Sequence, residues 1–247
     1  RLMNLRKRQI ELLKEQRAAI IQRAVTRGLN PHAPMKDSGI PWLGEIPAHW
    51  EIVRMKMLAE SLIAGPFGSS ITKNMYVSSG YRVYGQEQVI PDDFSIGDYF
   101  ITPEKFEELE RYSVNPGDVL ISCVGSFGKI AVVPRNIHPG IINPRLLRLR
   151  PRKNQIIPEY LGAALRSNVG FAQMEQAGRG GTMDIINIGL LGQLRIPLPP
   201  KNEQETILKY IAIQNLRLET LLSAYSRQLA LLAEYRAVLL RPRIRAR

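Results

Sequence analysis

Apolar positions recur at helical spacing near both ends of the chain and at strand spacing between them. Toward the C-terminus one seven-residue series takes Ile211, Leu218, Tyr225, Leu232 and Leu239. A second series, three residues ahead, takes Leu208, Asn215, Leu222, Leu229 and Arg236. Interleaved series of this kind make the seam of a coiled coil, and Asn215 and Arg236 are polar interruptions that fix register and pairing. The run "PLPPKNEQE" precedes the seam: its prolines stop a strand, and Asn202 with Glu205 reads as an N-cap and its capping-box partner. Pro242 marks the end. A helix over 207–240 reaches about 50 Å at 1.5 Å per residue.

The N-terminal end carries nearly the same phrase. "RQIELLKEQRAAII" (8–21) and "RQLALLAEYRAVLL" (227–240) are identical at seven of fourteen positions, at a constant offset of 219 residues. The polar Arg-Gln, Glu and Arg stay in register along with the aliphatic positions, which marks a repeat. The offset transfers the seam to Leu13 and Ile20 in one series and Ile10 and Arg17 in the other. This arm runs to about Arg27 and ends at Gly28 as a C-cap. Two matching seams predict an antiparallel coiled coil about a pseudo-two-fold axis, leaving the body as one hairpin. The chain begins at Arg1 rather than Met, so the natural product is expected to extend upstream.

Between the arms, strand-like runs recur: "EIVRMK", "YRVYGQ", "DVLISCVG", "KIAVVP" and "LLRLRP", separated by Gly, Pro and Asn turns. "PEYLGAALRS" and "GFAQMEQA" read as helices, and "RIPLP" as a last strand. Strands, then helices, then a strand favour an α+β body over a βαβ repeat. The resulting division is an N-terminal helical arm over 1–30, a body with its connector over 31–200 and a C-terminal arm over 201–247. Trp42 and Trp50, in the connector "WLGEIPAHW", are expected to anchor it on the body.

Charge sharpens the picture. The net charge is +12, with +6 in residues 1–30 and +5 in 201–247. Inside the body, 31–128 balances to −6 and 129–200 to +7. An excess of this size points to a polyanionic partner, with nucleic acid the leading class. The lone Cys123 excludes an internal disulfide framework and fits a reducing, cytoplasmic setting. With three scattered histidines (His32, His49, His138) no metal-ligand spacing exists, so no metal is expected. No run approaches the roughly 18 apolar residues of a membrane span, and no signal peptide is visible.

Catalytic motifs fail on inspection. "GSFGKI" has Cys123 where a P-loop needs Gly and Ile130 where it needs a hydroxyl. "AGRGGTM" puts Met183 at the third Gly of a dinucleotide fingerprint. Neither Asn-Pro pair continues into the aromatic motif of an adenine methyltransferase, and no lysine follows an acidic residue at nuclease spacing. No catalytic residue is assigned. What remains suits backbone contact: the loops 65–70, 125–129 and 178–182 combine Gly with small hydroxyls and a nearby cation. They give Ser69, Ser70, Lys73, Ser126, Lys129, Arg179 and Thr182 as DNA-contact candidates. Alternation along "YRVYGQ" adds Arg82, Tyr84 and Gln86 on one face, although Tyr84 also suits a core.

"MKDSGIPWLGEIPAHWEIVRMK", "GDVLISCVGSFGKIAVV" and "RIPLPPKNEQETI", followed by "LLAEYRAVLL", resemble the specificity subunit of type I restriction–modification systems. The resemblance covers nearly the whole chain and matches the family's second half: central helix, second target-recognition domain, terminal helix. It implies a non-catalytic, sequence-specific reader of one half of a bipartite DNA site. Methyltransferase subunits, which would carry S-adenosylmethionine, and a restriction subunit would dock on it; this chain itself would hold no cofactor. A second copy of the chain, joined through the arms, is a further possible partner. The sequence departs from the family pattern in showing one recognition domain. Two other readings stay open: the recognition tail of a fused methyltransferase–nuclease, and a coiled-coil adaptor whose body binds protein.

Overall fold

The computed structural model describes residues 2–124, 128–178 and 188–239. Helix α1 (Leu2–Arg27) leads through a small hairpin, β1 (Met35–Asp37) and β2 (Glu45–Pro47), into β3 (Glu51–Arg54). There follow α2 (Met55–Leu58), β4 (Ala59–Ala64), β5 (Tyr81–Tyr84), α3 (Gln86–Val89), β6 (Phe100–Ile101) and α4 (Pro103–Glu108). Next come β7 (Val119–Ser122), β8 (Ile130–Val132), β9 (Gly140–Ile142) and β10 (Leu146–Pro151). The chain closes with α5 (Pro158–Arg166), α6 (Asn168–Gly178), α7 (Ile188–Gln193), β11 (Arg195–Leu198) and α8 (Lys201–Leu239). The fold is α+β.

An antiparallel sheet, ordered β4-β10-β7-β8, divides the body. Val119 and Ile121 of β7 face one core with Tyr160, Leu161 and Leu165 of α5; Leu120 faces another with Tyr84 and Ile142. Both faces of β7 are covered, which is why "VLI" reads as an unbroken apolar run rather than an alternation. Behind the second core stands a smaller sheet, β6-β5-β9, with β5 and β9 parallel. A third cluster, Ile71, Val83, Ile101, Leu109 and Ile141, packs on it.

The arms form the expected antiparallel pair. Ile10, Leu13 and Ile20 of α1, and Leu222, Tyr225, Leu229 and Leu232 of α8, are half-buried, and Leu218 is buried; Leu239 ends the described helix. Polar seam residues meet each other: Arg17 Nε donates to Asn215 Oδ1 at 2.9 Å and its guanidinium lies 3.3 Å from Glu219. The Arg6 guanidinium sits over the Tyr225 ring, 4.9 Å from its centre. Nearer the body, Ala24, Val25, Ile207 and Ile211 enter the main core, so both arms grow out of the packed interior. Gly28 ends α1 at φ +68°, a C-cap conformation that disfavours a side chain.

Three side chains pin this junction. Gln204, fully buried, accepts from Ile157 N at 2.8 Å and donates to the carbonyls of Gln155 and Pro199. Glu203 accepts from Trp50 Nε1 at 3.0 Å, with His49 Nε2 2.8 Å from the same oxygen. The Tyr160 hydroxyl donates to Pro197 O at 3.0 Å and lies 3.3 Å from Val25 O; burial pushes its pKa well above the phenolic range.

Several expectations change. α8 begins at Lys201, because Gln204 N donates to the Pro200 carbonyl at 3.0 Å and makes Pro200 the cap in place of Asn202. The run "EIVRMK" breaks at Met55 into a four-residue helix and a second strand, β4. Trp50 is buried as an anchor, but Trp42 is 44% exposed on the connector. Among the described residues no helix is long and apolar enough to cross a membrane.

Gln204→Ala is expected to destabilise the chain by about 2–3 kcal/mol, since it strands one amide N–H and two carbonyls in the interior. Urea denaturation with an unchanged m-value checks this. Asp at both Leu222 and Leu229 should detach α1 from α8 by burying charge in the seam, read as new protease cleavage within α1.

Candidate nucleic-acid interface

Antiparallel pairing brings loops from distant parts of the sequence to one end of the sheets. Leu147 pairs with Ala64, Leu146 with Ser122, and Ile121 with Ile130, so β4 ends, β10 begins, β7 ends and β8 begins together. β5 joins them, because Asn143 N donates to the Tyr84 carbonyl at 2.8 Å. The corner 143–145 lies at the centre. Gly65 N donates to Leu146 O at 2.9 Å, and any Cβ on Gly65 would collide with the Asn143 carbonyl. On the other side Cys123 N donates to Arg145 O at 3.1 Å.

This surface exposes Phe67, Ser69, Val124, Lys129 and Arg145, with Ser70 half-buried. Lys73 is exposed further along the same loop, beyond Ile71, which is buried in the third cluster. Among the described residues neither Lys129 nor Arg145 makes an ion pair. Ser126, Arg179 and Thr182 lie outside the described residues.

Three candidates do other work. Tyr84 is fully buried, its hydroxyl donating to His138 O at 2.5 Å, so it cannot reach a phosphate. Desolvation pushes its pKa up to about 12, against a smaller lowering by Arg82. Arg82 binds the carbonyls of Phe94 at 3.0 Å, Ser95 at 3.4 Å and Gly97 at 2.5 Å, and therefore caps a loop. Gln86 leaves the strand altogether, because β5 stops at Tyr84 and Gln86 opens α3. Its amide nitrogen donates to Ser122 Oγ at 2.5 Å and to the Val124 carbonyl, bracing the surface from beneath.

The positive excess of 129–200 is also partly engaged. Arg150 grips the buried Asp118 through two contacts of 2.9 Å. Buried Arg148 donates to Ser113 O and Ser61 Oγ. Arg166 pairs with Asp92 at 2.7 Å, and Lys153 donates to Pro116 O at 2.9 Å. Arg135 and Arg152 follow β8 and β10 and so leave from the opposite end of the sheet. Regional net charge therefore overstated what this part of the body presents. Arg145, Phe67 and Asn143 were missed; the signal for Asn143 and Arg145 was the Asn-Pro-Arg corner between two apolar runs, and Phe67 stood inside the 65–70 loop. Cys123 is buried, and desolvation raises its thiol pKa, which leaves it unreactive.

Fold and surface together define a class: a layered body on an antiparallel helical hairpin, presenting cations and apolar groups at one strand end. The chain belongs to the type I restriction modification DNA specificity domain family, whose profile matches residues 47–219. It is 31% identical over 178 residues to the MjaX type I restriction enzyme specificity subunit of Methanocaldococcus jannaschii, covering 69% of this chain and 40% of that protein. The MjaVIII specificity subunit of the same organism is 24% identical over 222 residues, with 85% and 49% covered. Among solved structures, the HsdS subunit from Thermoanaerobacter tengcongensis aligns with TM-score 0.58 at 21% identity, over 92% of this chain and 48% of that one. A chain from "Structural basis underlying complex assembly and conformational transition of the type I R-M system" aligns with TM-score 0.67 at 20% identity, over 95% and 52%. The chain spans about half the length of the relatives it matches.

Tyr84 makes a pH signature. An unfolded tyrosine loses its proton near pH 10 and the folded one near 12, so this stabilisation is complete below pH 10 and disappears as pH rises to 12. The wild type should lose roughly 2 kcal/mol more than Tyr84→Phe across that window, by denaturant titration at each pH.

Proposed function

We propose that the chain is a DNA-recognition component of a type I restriction–modification complex, with no catalysis of its own. The observation that carries this reading is the convergence of Phe67, Val124, Lys129 and Arg145 on one strand-end surface, in a chain of this family. Lys129 and Lys73 hold phosphates; short hydroxyls and backbone amides of the 65–70 loop supplement them.

The body reads one half of a bipartite site. Support comes from combining the repeat with the observed register. Residue numbers paired across the arms add to 231 for Arg6 and Tyr225 and to 232 for Arg17 and Asn215. With a repeat offset of 219, the residue facing its own equivalent is Arg6, whose equivalent is Tyr225. A pseudo-dyad through that pair lies eighteen residues from Ala24, where α1 enters the core, or about 27 Å along the helix. A second recognition body, from another part of a longer chain or a second copy, would sit at the same distance beyond the axis.

The arms scaffold the methyltransferase and restriction subunits, with S-adenosylmethionine bound on the methyltransferase. Their outer faces are apolar enough for this: Leu216 is 69% exposed, Leu231 58% and Tyr235 65%.

Lys129→Ala and Lys73→Ala should each weaken binding to all duplexes alike and reduce the salt slope of log K by about 1. Filter binding across a salt series checks this, and unchanged slopes would move the DNA surface elsewhere. Glu at Leu231 together with Ala at Tyr235 should abolish co-purification of the methyltransferase subunits while leaving the melting temperature intact.

A further inference from the structure

Among the exposed cations of the strand-end surface, Arg145 has an unusual mounting. Its amide donates to Asn143 Oδ1 at 2.9 Å and its carbonyl accepts from Cys123 N at 3.1 Å, so its backbone is held on both sides. Pro144, immediately before it, fixes the chain direction. Asn143 is itself anchored by its backbone N–H, which donates to Tyr84 O, and by the close approach of Gly65. The side chain that leaves this rigid corner is exposed and makes no ion pair among the described residues.

Its neighbours distinguish it from a phosphate anchor. The backbone contacts set it between the strand ends that lead to Phe67, 68% exposed, and Val124, 38% exposed. Apolar groups beside a charge are poorly matched to a phosphate, which prefers cations and N–H donors. They match base edges, where the thymine methyl offers an apolar contact and guanine O6 and N7 accept a forked pair of hydrogen bonds. A guanidinium on a fixed stem supplies that fork at small entropic cost, whereas the ammonium groups of Lys73 and Lys129 act as point charges on flexible stems.

Resting on the reading of this surface as the DNA interface, we propose that Arg145 reads a guanine in the major groove of the half-site. The Asn143 side chain and the Gly65 contact are positioning elements for it.

The test is selection of duplexes from a randomised pool on the purified full chain at low ionic strength, followed by sequencing. Arg145→Ala, Arg145→Lys, Lys73→Ala and Lys129→Ala are compared with the wild type, each checked for an unchanged melting curve. Both Arg145 variants should lose the preference for G at one position by about ten- to a hundredfold and keep the preferences elsewhere. Lysine retains the charge but lacks the fork, so its failure to restore G separates base reading from attraction to phosphate. A uniform weakening over all sequences, relaxation at a position that is not guanine, or full rescue by lysine would overturn the assignment. So would unchanged selection in the Arg145 variants while either lysine variant binds more weakly. If none of the four substitutions alters binding, the interface reading falls with it.

Discussion

The start of α8 is the constraint on which the rest of the structure depends. Within two consecutive residues the chain fastens this helix to the connector through Glu203 and to the α5 side of the body through Gln204. A carboxylate in the first turn of a helix also meets the positive end of the helix dipole. Tyr160 completes the arrangement by bonding the last strand and lying within reach of the end of α1. Remove these contacts and α8 could leave the body at many angles, since its seam residues specify its pairing with α1 but not its angle to the body. The Pro-Pro-x-x-Glu-Gln run is thus a device for aiming the arms: prolines stop β11, Pro200 caps the helix, and the two side chains set its direction.

That direction matters because the arms and the candidate reading surface belong to one packed body. Ala24, Val25, Ile207 and Ile211 lie in the same core as Ile121, Ile130 and Leu147, which lead into the strand-end loops. Those strands carry side chains alternately into the main core and into the second one. The loops therefore stand on a sheet buttressed from both sides, and one of those sides is partly built by the arms. Close-packed interiors transmit displacement rather than absorb it. A partner that rotated the arms would move the strand ends with them.

The large elements were legible because each has a periodic signature that packing reinforces. The heptad series located both seams down to the polar pair Arg17 and Asn215, continuous apolar runs marked β7 and β8, and the strand-like run "LLRLRP" marked β10. Elements shorter than their own period were not legible. β9 has three residues and pairs with β5 in parallel from almost sixty positions away; β4 follows a single turn of helix. Among candidate residues the difficulty was chemical. Arg82 and Lys129 look alike in sequence, yet one is engaged by three backbone carbonyls and the other stands free of ion pairs among the described residues. Alternation put Gln86 on the strand, but Gly85 ends that strand and turns it into a brace. Only strand register, which no local pattern encodes, brings Arg145 beside the 65–70 loop.

The polar pair in the seam has a further consequence. A leucine-rich seam alone tolerates a slip by one heptad, because the same residue types meet again after seven positions. In this chain such a slip would put Arg17 opposite Leu208 or Leu222 in place of Asn215. The guanidinium would lose its hydrogen bond while remaining half in the seam, a penalty of the kind that singles out one register in coiled coils. The register in turn positions the proposed pseudo-dyad: a slip of seven residues would shift it by about 5 Å and, were a second body to stand beyond it, would move the two by about 10 Å relative to each other. On the proposed bipartite reading that is close to three base pairs of B-DNA, enough to break the spacing between half-sites. On that reading Arg17 and Asn215 would act on DNA recognition at a distance, by fixing how far apart two readers stand.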